Sequence, residues 1–244
     1  MKALILNCSV NPIDINGHPK CLMELSTGET ILSRQLHLLC GAGVRRIAIV
    51  SDSFSSEISS YCGSLNLPLE LSFFDYRGAY YRHYIYGMFC ARKFLVGNML
   101  LLHSNLVFET EVLNRLLACK TSCMTVSTTA PAREELNWAY LDGFRAYFKE
   151  GQIVRADNKS STKQEEKEYD CILPAWRFYR LRAEDLQKWM LPINRFCNHL
   201  GLTGIPAEEV LPPVSPVDIG DLLCTEVNNP EQLEDVIRRL DEAD

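Results

Sequence analysis

Several things are missing from this chain of 244 residues, and each absence excludes something. No run of about 18 uncharged apolar residues occurs, so no membrane-spanning helix is expected. No block of Lys or Arg interrupts a balance of 25 basic against 31 acidic residues, a net charge of -6. That argues against a sequence-independent grip on nucleic acid. The opening Met1-Lys2-Ala3-Leu4-Ile5-Leu6 is too short for the apolar region of a signal peptide, and no small-residue cleavage site follows. A cytoplasmic, soluble protein is the expectation. Ten cysteines stand at 8, 21, 40, 62, 90, 119, 123, 171, 197 and 224, with no C-x-x-C among them. Neither a disulfide scaffold nor a clustered zinc site follows from that scatter. Most lie in apolar surroundings, such as Leu38-Leu39-Cys40 and Met88-Phe89-Cys90, and read as reduced, buried thiols. Ser9 has Asp14 and His18 near it but no G-x-S-x-G around it, so nucleophilic catalysis is set aside. The paired acids Glu134-Glu135 and Glu165-Glu166 sit in polar stretches and read as solvated faces. There are no internal repeats.

What is present is a core-building composition, 47% hydrophobic and 23% charged. A chain of this size hides about 70% of its unfolded surface. Ala3–Leu6, Arg46–Ser51, Leu69–Phe73 and Met99–His103 are short apolar runs of the kind buried on both faces of a sheet. Between them, Thr30–Cys40, Ser53–Cys62 and Tyr80–Leu95 carry helical patterns, and Glu109–Cys119 carries another. Strands separated by helices imply β-α-β crossovers. The spacing predicts an α/β fold, a three-layer α/β/α sandwich with a mostly parallel mixed sheet. The second half adds strands at Cys123–Ser127, Ala139–Phe148, Gln152–Arg155 and Cys171–Tyr179, with a turn at Lys149-Glu150-Gly151. Ser160–Glu168 reads as an exposed loop, Ala183–Met190 as a helix and Gly201–Pro216 as irregular. Asn229-Pro230-Glu231 opens a last helix to about Leu240, with Pro at its first position and an acid after it. One domain over 1–244 is expected, with residues 126–244 adding substrate-side elements and the closing helix to residues 1–125.

In such a sheet, ligands sit outside the carboxyl ends of the strands. The loops after Leu6, Ser51, His103 and Phe178 are therefore the places for chemistry. Lys20, set by Pro19 at the rim of the first β-α connection, is placed to meet a phosphate; a solvated surface lysine is the alternative. The aromatic run from Phe73 to Tyr86 is dense enough to line a pocket and to hold a quaternary ammonium by cation–π attraction. Core packing explains the same spacing, and Trp138, Trp176 and Trp189 have similar standing.

Residue by residue, the chain resembles the sugar-phosphate and phosphocholine nucleotidyltransferases, the GT-A-like family. Lys2-Ala3-Leu4-Ile5-Leu6 resembles the opening strand, and Pro19-Lys20-Cys21-Leu22-Met23-Glu24-Leu25 the P-K-x-L-x-x-L segment. Gly28 to Gln35 and Gly41-Ala42-Gly43-Val44 resemble the next helix and its exit. Tyr84-Ile85-Tyr86 with Ala91-Arg92 is similar to the N-N-I-Y-S-L-x-x-A-R of the choline-phosphate subgroup. Leu100-Leu101-Leu102-His103-Ser104-Asn105 resembles the strand ending in G-D, and Gly151-Gln152-Ile153-Val154 through Lys159 the turn to a second lysine. Glu226-Val227-Asn228-Asn229-Pro230-Glu231-Gln232-Leu233 resembles the closing E-I-D-T-P-E-D-L. The likeness runs over nearly the whole chain.

The resemblance implies nucleotidyl transfer from an NTP (CTP or another nucleotide) to a sugar phosphate or choline-type phosphate, with release of pyrophosphate. It implies catalytic roles for Lys20 and Lys159, and nucleotide contacts from Leu6, Asn7, Cys8, Ser9, Lys20 and Ser104. Acceptor contacts fall to Tyr84, Tyr86 and Trp176, and Mg²⁺ to Asn105 and Asn228. Two departures stand out. The Gly-rich loop, G-x-G-x-R in the family, is reduced to one glycine and no arginine between Asn7 and Gly17, where Pro12 also removes an N–H donor. Asn105 stands where the metal-binding Asp is expected, and Asn228 at the second position, where some members also use Asn. Neutral carboxamides weaken the hold on a hard divalent cation, although Ser104-Asn105 also suits a plain strand-end turn. Hence the alternative is a catalytically weakened relative that binds nucleotide or sugar nucleotide, as a homo-oligomer or beside an active paralogue. A different transfer reaction on the same scaffold is a third option, since fold does not fix function.

Overall fold

Strand β1 (Lys2–Asn7) is buried from Ala3 onward, as an apolar run without alternation requires when both sheet faces are covered. In the computed structural model, the described residues are 1–7, 17–26, 28–51, 54–75, 84–129, 144–157, 167–199 and 214–242. β1 lies parallel between β4 (Arg46–Ser51) and β6 (Met99–His103), with Leu6 opposite both Val50 and His103. β5 (Glu70–Asp75) continues the parallel half beyond β4 and forms its edge. On the other side the long β11 (Cys171–Leu181) runs antiparallel to β6 and to β8 (Cys123–Val126). β12 (Ser215–Asp218) pairs in parallel with β8. The first residues of β11 carry β9 (Arg145–Lys149), which hairpins into β10 (Gln152–Asp157). Glu150 and Gly151 in that turn have φ of 52° and 72°. Two consecutive left-handed residues make the tight turn that matches strand twist, which is why glycine serves at 151.

Side chains alternate across this sheet into two cores. Leu4, Leu6, Val50 and Leu101 face α3 (Tyr84–Cys90) and α5 (Ala183–His199), meeting Met88, Leu186 and Trp189. Ile5, Ile49, Leu100 and Leu102 face α1 (Ile31–Gly41), α2 (Ser55–Ser64) and α4 (Thr110–Ala118). Helices on both faces of a mixed sheet make the expected three-layer α/β/α sandwich. A smaller cluster holds the end of the chain in place. Leu25, Ile31, Val107, Leu223, Val227 and Val236 pack together. They tie the ribbon of β2 (Glu24–Ser26) and β3 (Glu29–Thr30), and that of β7 (Leu106–Phe108) and β13 (Cys224–Glu226), to α6 (Pro230–Asp241). Asn229 caps α6 by accepting from Gln232 N at 2.9 Å, with Pro230 at the first turn as the sequence indicated.

Three expectations need correction. The stretch expected to be irregular up to Pro216 already contains β12 from Ser215, because an edge strand tolerates a proline that cannot donate. Helix α5 continues past Met190 and through Pro192 to His199. Trp189, Met190 and Ile193 on the core face offset the hydrogen bond that the proline removes. Helix α3 ends at Cys90, short of the expected Leu95, with turns over 91–94. The ribbons β2–β3 and β7–β13, which no expectation covered, have strands of two or three residues, too short for a period of two to register. The expected loops Asn7–His18 (beyond Asn7 itself and 17–18), 160–166 and 201–213 lie outside the described residues. Of the expected helix Tyr80–Leu95, residues 80–83 do as well. Among the described residues no helix is long and apolar enough to cross a membrane.

The eight described cysteines are free, with Cys21, Cys62, Cys123 and Cys224 buried and Cys171 exposed. Burial pushes the Cys62 thiol up to about 11. It raises Cys123, next to Cys119, and Cys224 as well. Since the thiolate is the nucleophile, these groups are doubly protected. In the native protein at mildly alkaline pH, iodoacetamide is expected to label Cys171 well before Cys62, Cys123 and Cys224, which react only in denaturant. Peptide mapping checks this, and equal labelling of Cys62 and Cys171 would contradict the burial described.

Candidate functional site

Strand order reverses at β1, with β4 and β5 to one side and β6 to the other. A crevice opens at the carboxyl ends of strands at such a switch point. Polar side chains gather there as the apolar runs end. Asn7, Ser51 and Ser104 are 2%, 2% and 3% exposed. Ser104 Oγ donates to Asn7 Oδ1 at 2.8 Å, and Asn7 Nδ2 donates to Ser51 Oγ at 3.3 Å. Ser104 N donates to the carbonyl of Leu6 at 3.0 Å. Short polar side chains at strand ends bond to what the ladder no longer reaches, and here they stitch three strands together.

The next residue joins this crevice to the far end of the chain. Asn105 is buried, and its Nδ2 donates both to the carbonyl of Val227, at 3.1 Å, and to Asn228 Oδ1, at 2.9 Å. Val227 N donates back to the carbonyl of Asn105 at 2.8 Å. The Val227 carbonyl fixes which way the Asn105 amide faces, since an amide oxygen there would oppose another acceptor. Asn228 N donates to Gln232 Oε1 at 2.6 Å, so Asn228 is tied to the first turn of α6. From beneath, the buried Gln35 of α1 donates through Nε2 to the carbonyls of His103 (2.9 Å) and Leu106 (2.6 Å), holding the turn that displays Ser104 and Asn105.

Both positions that the resemblance assigns to Mg²⁺ are therefore brought together, but as a hydrogen-bonded pair of neutral amides. Among the described residues no group of three or more His, Cys, Asp or Glu is arranged to hold a metal ion. Mg²⁺ favours anionic oxygens in octahedral array, and this donor set does not fit it.

Among the described residues, charge beside these amides gathers in a buried cluster. Glu226 accepts from Arg177 Nη1 at 3.3 and 3.2 Å, and His103 Nδ1 lies 3.8 Å from Glu226 Oε1. The side chains of Arg177, His103 and Glu226 are only 13%, 12% and 9% exposed. The Arg177 guanidinium also lies 4.2 Å from the centre of the Phe144 ring. Sequence reasoning overlooked this cluster and Gln35, yet signals existed. Arg177 interrupts the apolar Trp176-Arg177-Phe178-Tyr179, and Gln35 falls on the Leu32–Leu36–Leu39 stripe of its helix.

The other expected site residues are placed as follows. Leu6 is core, 2% exposed, and contributes backbone to the crevice. Lys20 stands in a single helical turn, Lys20–Leu22, after Pro19, and is 7% exposed, not a solvated lysine. Tyr86 is half-buried and stacks on Phe89 with ring centres 6.0 Å apart. Trp176 is in the core on the α1–α2–α4 face with Phe178, its indole Nε1 buried without a partner. Trp189 is also core, edge-on to Tyr179 at 5.5 Å. Cys8, Ser9, Lys159, Trp138 and the side chain of Tyr84 lie outside the described residues.

This order of strands, with α6 tied to the turn after β6, is an α/β fold shared with solved structures. Among solved structures, the chain is similar to the inositol-1-phosphate CTP transferase from T. maritima, at a TM-score of 0.66 and 13% identity, over 99% of this chain and 96% of that one. It is similar also to a protein described as a glucose-1-phosphate thymidylyltransferase from Bacillus anthracis, in complex with sucrose, at a TM-score of 0.65 and 11% identity, over 98% and 94% of the two chains. At these identities the likeness is one of fold. No family model and no curated protein sequence matches the chain.

The Arg177–Glu226 pair sets a stability test. Arg177→Met strands a buried carboxylate and is expected to cost about 3 kcal/mol in urea unfolding. Arg177→Met combined with Glu226→Leu should recover most of that loss, because removing both charges removes the penalty. A single-variant loss below about 1 kcal/mol would place the pair in an effectively aqueous setting.

Proposed function

We propose that the chain is a nucleotidyltransferase-like protein acting on a nucleoside triphosphate and a small phosphorylated acceptor, a sugar phosphate or a choline-type phosphate. The observation that carries this reading is the fold likeness over 99% of the chain, with buried polar groups gathered at its switch-point crevice. In the reaction, an acceptor phosphate oxygen attacks the α-phosphorus of the nucleotide. A new P–O–P linkage forms, the bond to the β-phosphate bridging oxygen breaks, and pyrophosphate leaves. Little covalent work falls to the protein, so positioning and charge neutralisation dominate. Lys20, held in its short turn, supplies positive charge toward the phosphates, and Lys159 does so on the acceptor side. The backbone at Leu6 and Asn7 and the hydroxyl of Ser104 border the nucleotide, with Cys8 and Ser9 in the following loop. Tyr84 and Tyr86 are the acceptor contacts on this reading. Free cysteines suit the reducing cytoplasm, where we place this activity.

One observation favours a second reading, namely the amide pair Asn105–Asn228 where carboxylate ligands would serve transfer better. On that reading the protein binds a nucleotide or sugar nucleotide and acts as a regulatory or structural partner, to itself or to an active paralogue. A pyrophosphate-release assay with each NTP, a divalent cation and a panel of sugar phosphates and phosphocholine separates the two. Transfer predicts release that falls about 100-fold in Lys20→Ala. Release no greater than in Lys20→Ala with every pair, alongside calorimetric binding of a nucleotide, would select the second reading and sink the first.

A further inference from the structure

We infer that the Asn105–Asn228 pair is a protein strut standing in place of a divalent cation, so that nucleotide binding at this crevice does not depend on divalent metal. The ligand named here rests on the functional reading above; the strut itself rests on geometry alone.

A carboxylate at 105 would carry no hydrogen, and its oxygens would face the carbonyl of Val227 and the side-chain oxygen of Asn228. Such an all-oxygen corner calls for a cation between the groups. In this chain the Asn105 amide meets both oxygens with its two hydrogens, at 3.1 and 2.9 Å, and the corner is satisfied without one. A cation entering it would have to break the 2.9 Å bond, leave a buried N–H without a partner and accept two neutral oxygens in exchange. Among the described residues, neighbouring groups do not make up the missing charge. Glu226, two residues before Asn228, is committed to Arg177 with His103 beside it. Asn228 is further fixed by its N–H to Gln232. The strut therefore holds the start of α6 against the turn after β6 whether or not ligand is bound, a tie that a metal would provide only when loaded.

The test uses the full chain and Mn²⁺ alone as probe, read by loss of the free-ion EPR signal. Wild type is expected to leave the signal unchanged into the millimolar range. Asn105→Asp/Asn228→Asp is expected to bind Mn²⁺ at least about tenfold more tightly. Calorimetry of the wild type with CTP, ATP, GTP and UTP should give affinities equal within about twofold in Mg²⁺ and in chelator. Wild-type Mn²⁺ binding that the double variant does not tighten would overturn the strut, as would a tenfold loss of nucleotide affinity in chelator. Should the double variant fail to fold, the wild-type side-chain amide resonances of Asn105 and Asn228 decide. They are expected to stay fixed through a Mg²⁺ titration, and selective shifts there would overturn the proposal. If none of the four nucleotides binds, the nucleotide reading fails while the Mn²⁺ and resonance results still judge the strut.

Discussion

β1 is paired on both edges and covered on both faces, so every backbone and side-chain group it owns is committed until Asn7. That saturation decides where chemistry can occur. A strand sealed in this way has polar groups to offer only where its partners end, and β4 and β6 end level with it. Ser51, Asn7 and Ser104 consequently meet at one depth and bond to one another. The crevice is a boundary effect of the buried parallel ladder, and its polarity reflects the limits of the sheet more than any local motif.

A second constraint acts from the opposite end of the chain. Residues 105 and 227 exchange backbone and side-chain hydrogen bonds, continuing the β7–β13 ribbon up to the turn after β6. Val227 meanwhile packs with Val107 and Val236, so the apolar contact and the polar contact share one segment. The buried Arg177–Glu226 pair lies one residue earlier on the same strand. A buried ion pair is weak support for stability, but breaking one is costly, so it acts as a register lock. Shifting β13 by one residue would turn Glu226 away from Arg177 and Asn228 away from Asn105 together.

Much of this was legible in the sequence, for identifiable reasons. Ala3–Leu6, Arg46–Ser51 and Met99–His103 read as buried strands because parallel strands leave no polar alternation to confuse the pattern. Asn229-Pro230-Glu231 announced the closing helix through capping alone. The fold resemblance also held, since matched segments recurred in order along the chain. What stayed hidden was pairing at long range. The resemblance put Asn228 beside Asn105, but nothing in Glu226-Val227-Asn228 states that Glu226 reaches Arg177 and His103, and ribbons of two or three residues carry no periodic signal. Trp176 shows the opposite failure. It aligned with an acceptor-side strand, yet parity on β11 turns it into the core with Phe178, and sequence could not fix that parity past the irregular register between Ala175 and Tyr179.

The charge balance takes on a different meaning beside this geometry. A net charge of -6 says little about a phosphate site, because the field that matters is local. At the crevice the described groups nearest the strand ends are hydroxyls and amides, while Arg177 and Glu226 cancel each other inside the protein. Among the described residues, Lys20 is a further cation held inside the protein, 7% exposed in its single helical turn. On the proposed reading, such a site offers a phosphate the Lys20 cation beside a rim of neutral donors. It gains selectivity from hydrogen-bond geometry more than from charge, and the neutral Asn105–Asn228 pair belongs to the same design. Carboxylates at those positions would be tolerable only with a metal to oppose them, whereas amides leave the crevice complete by itself.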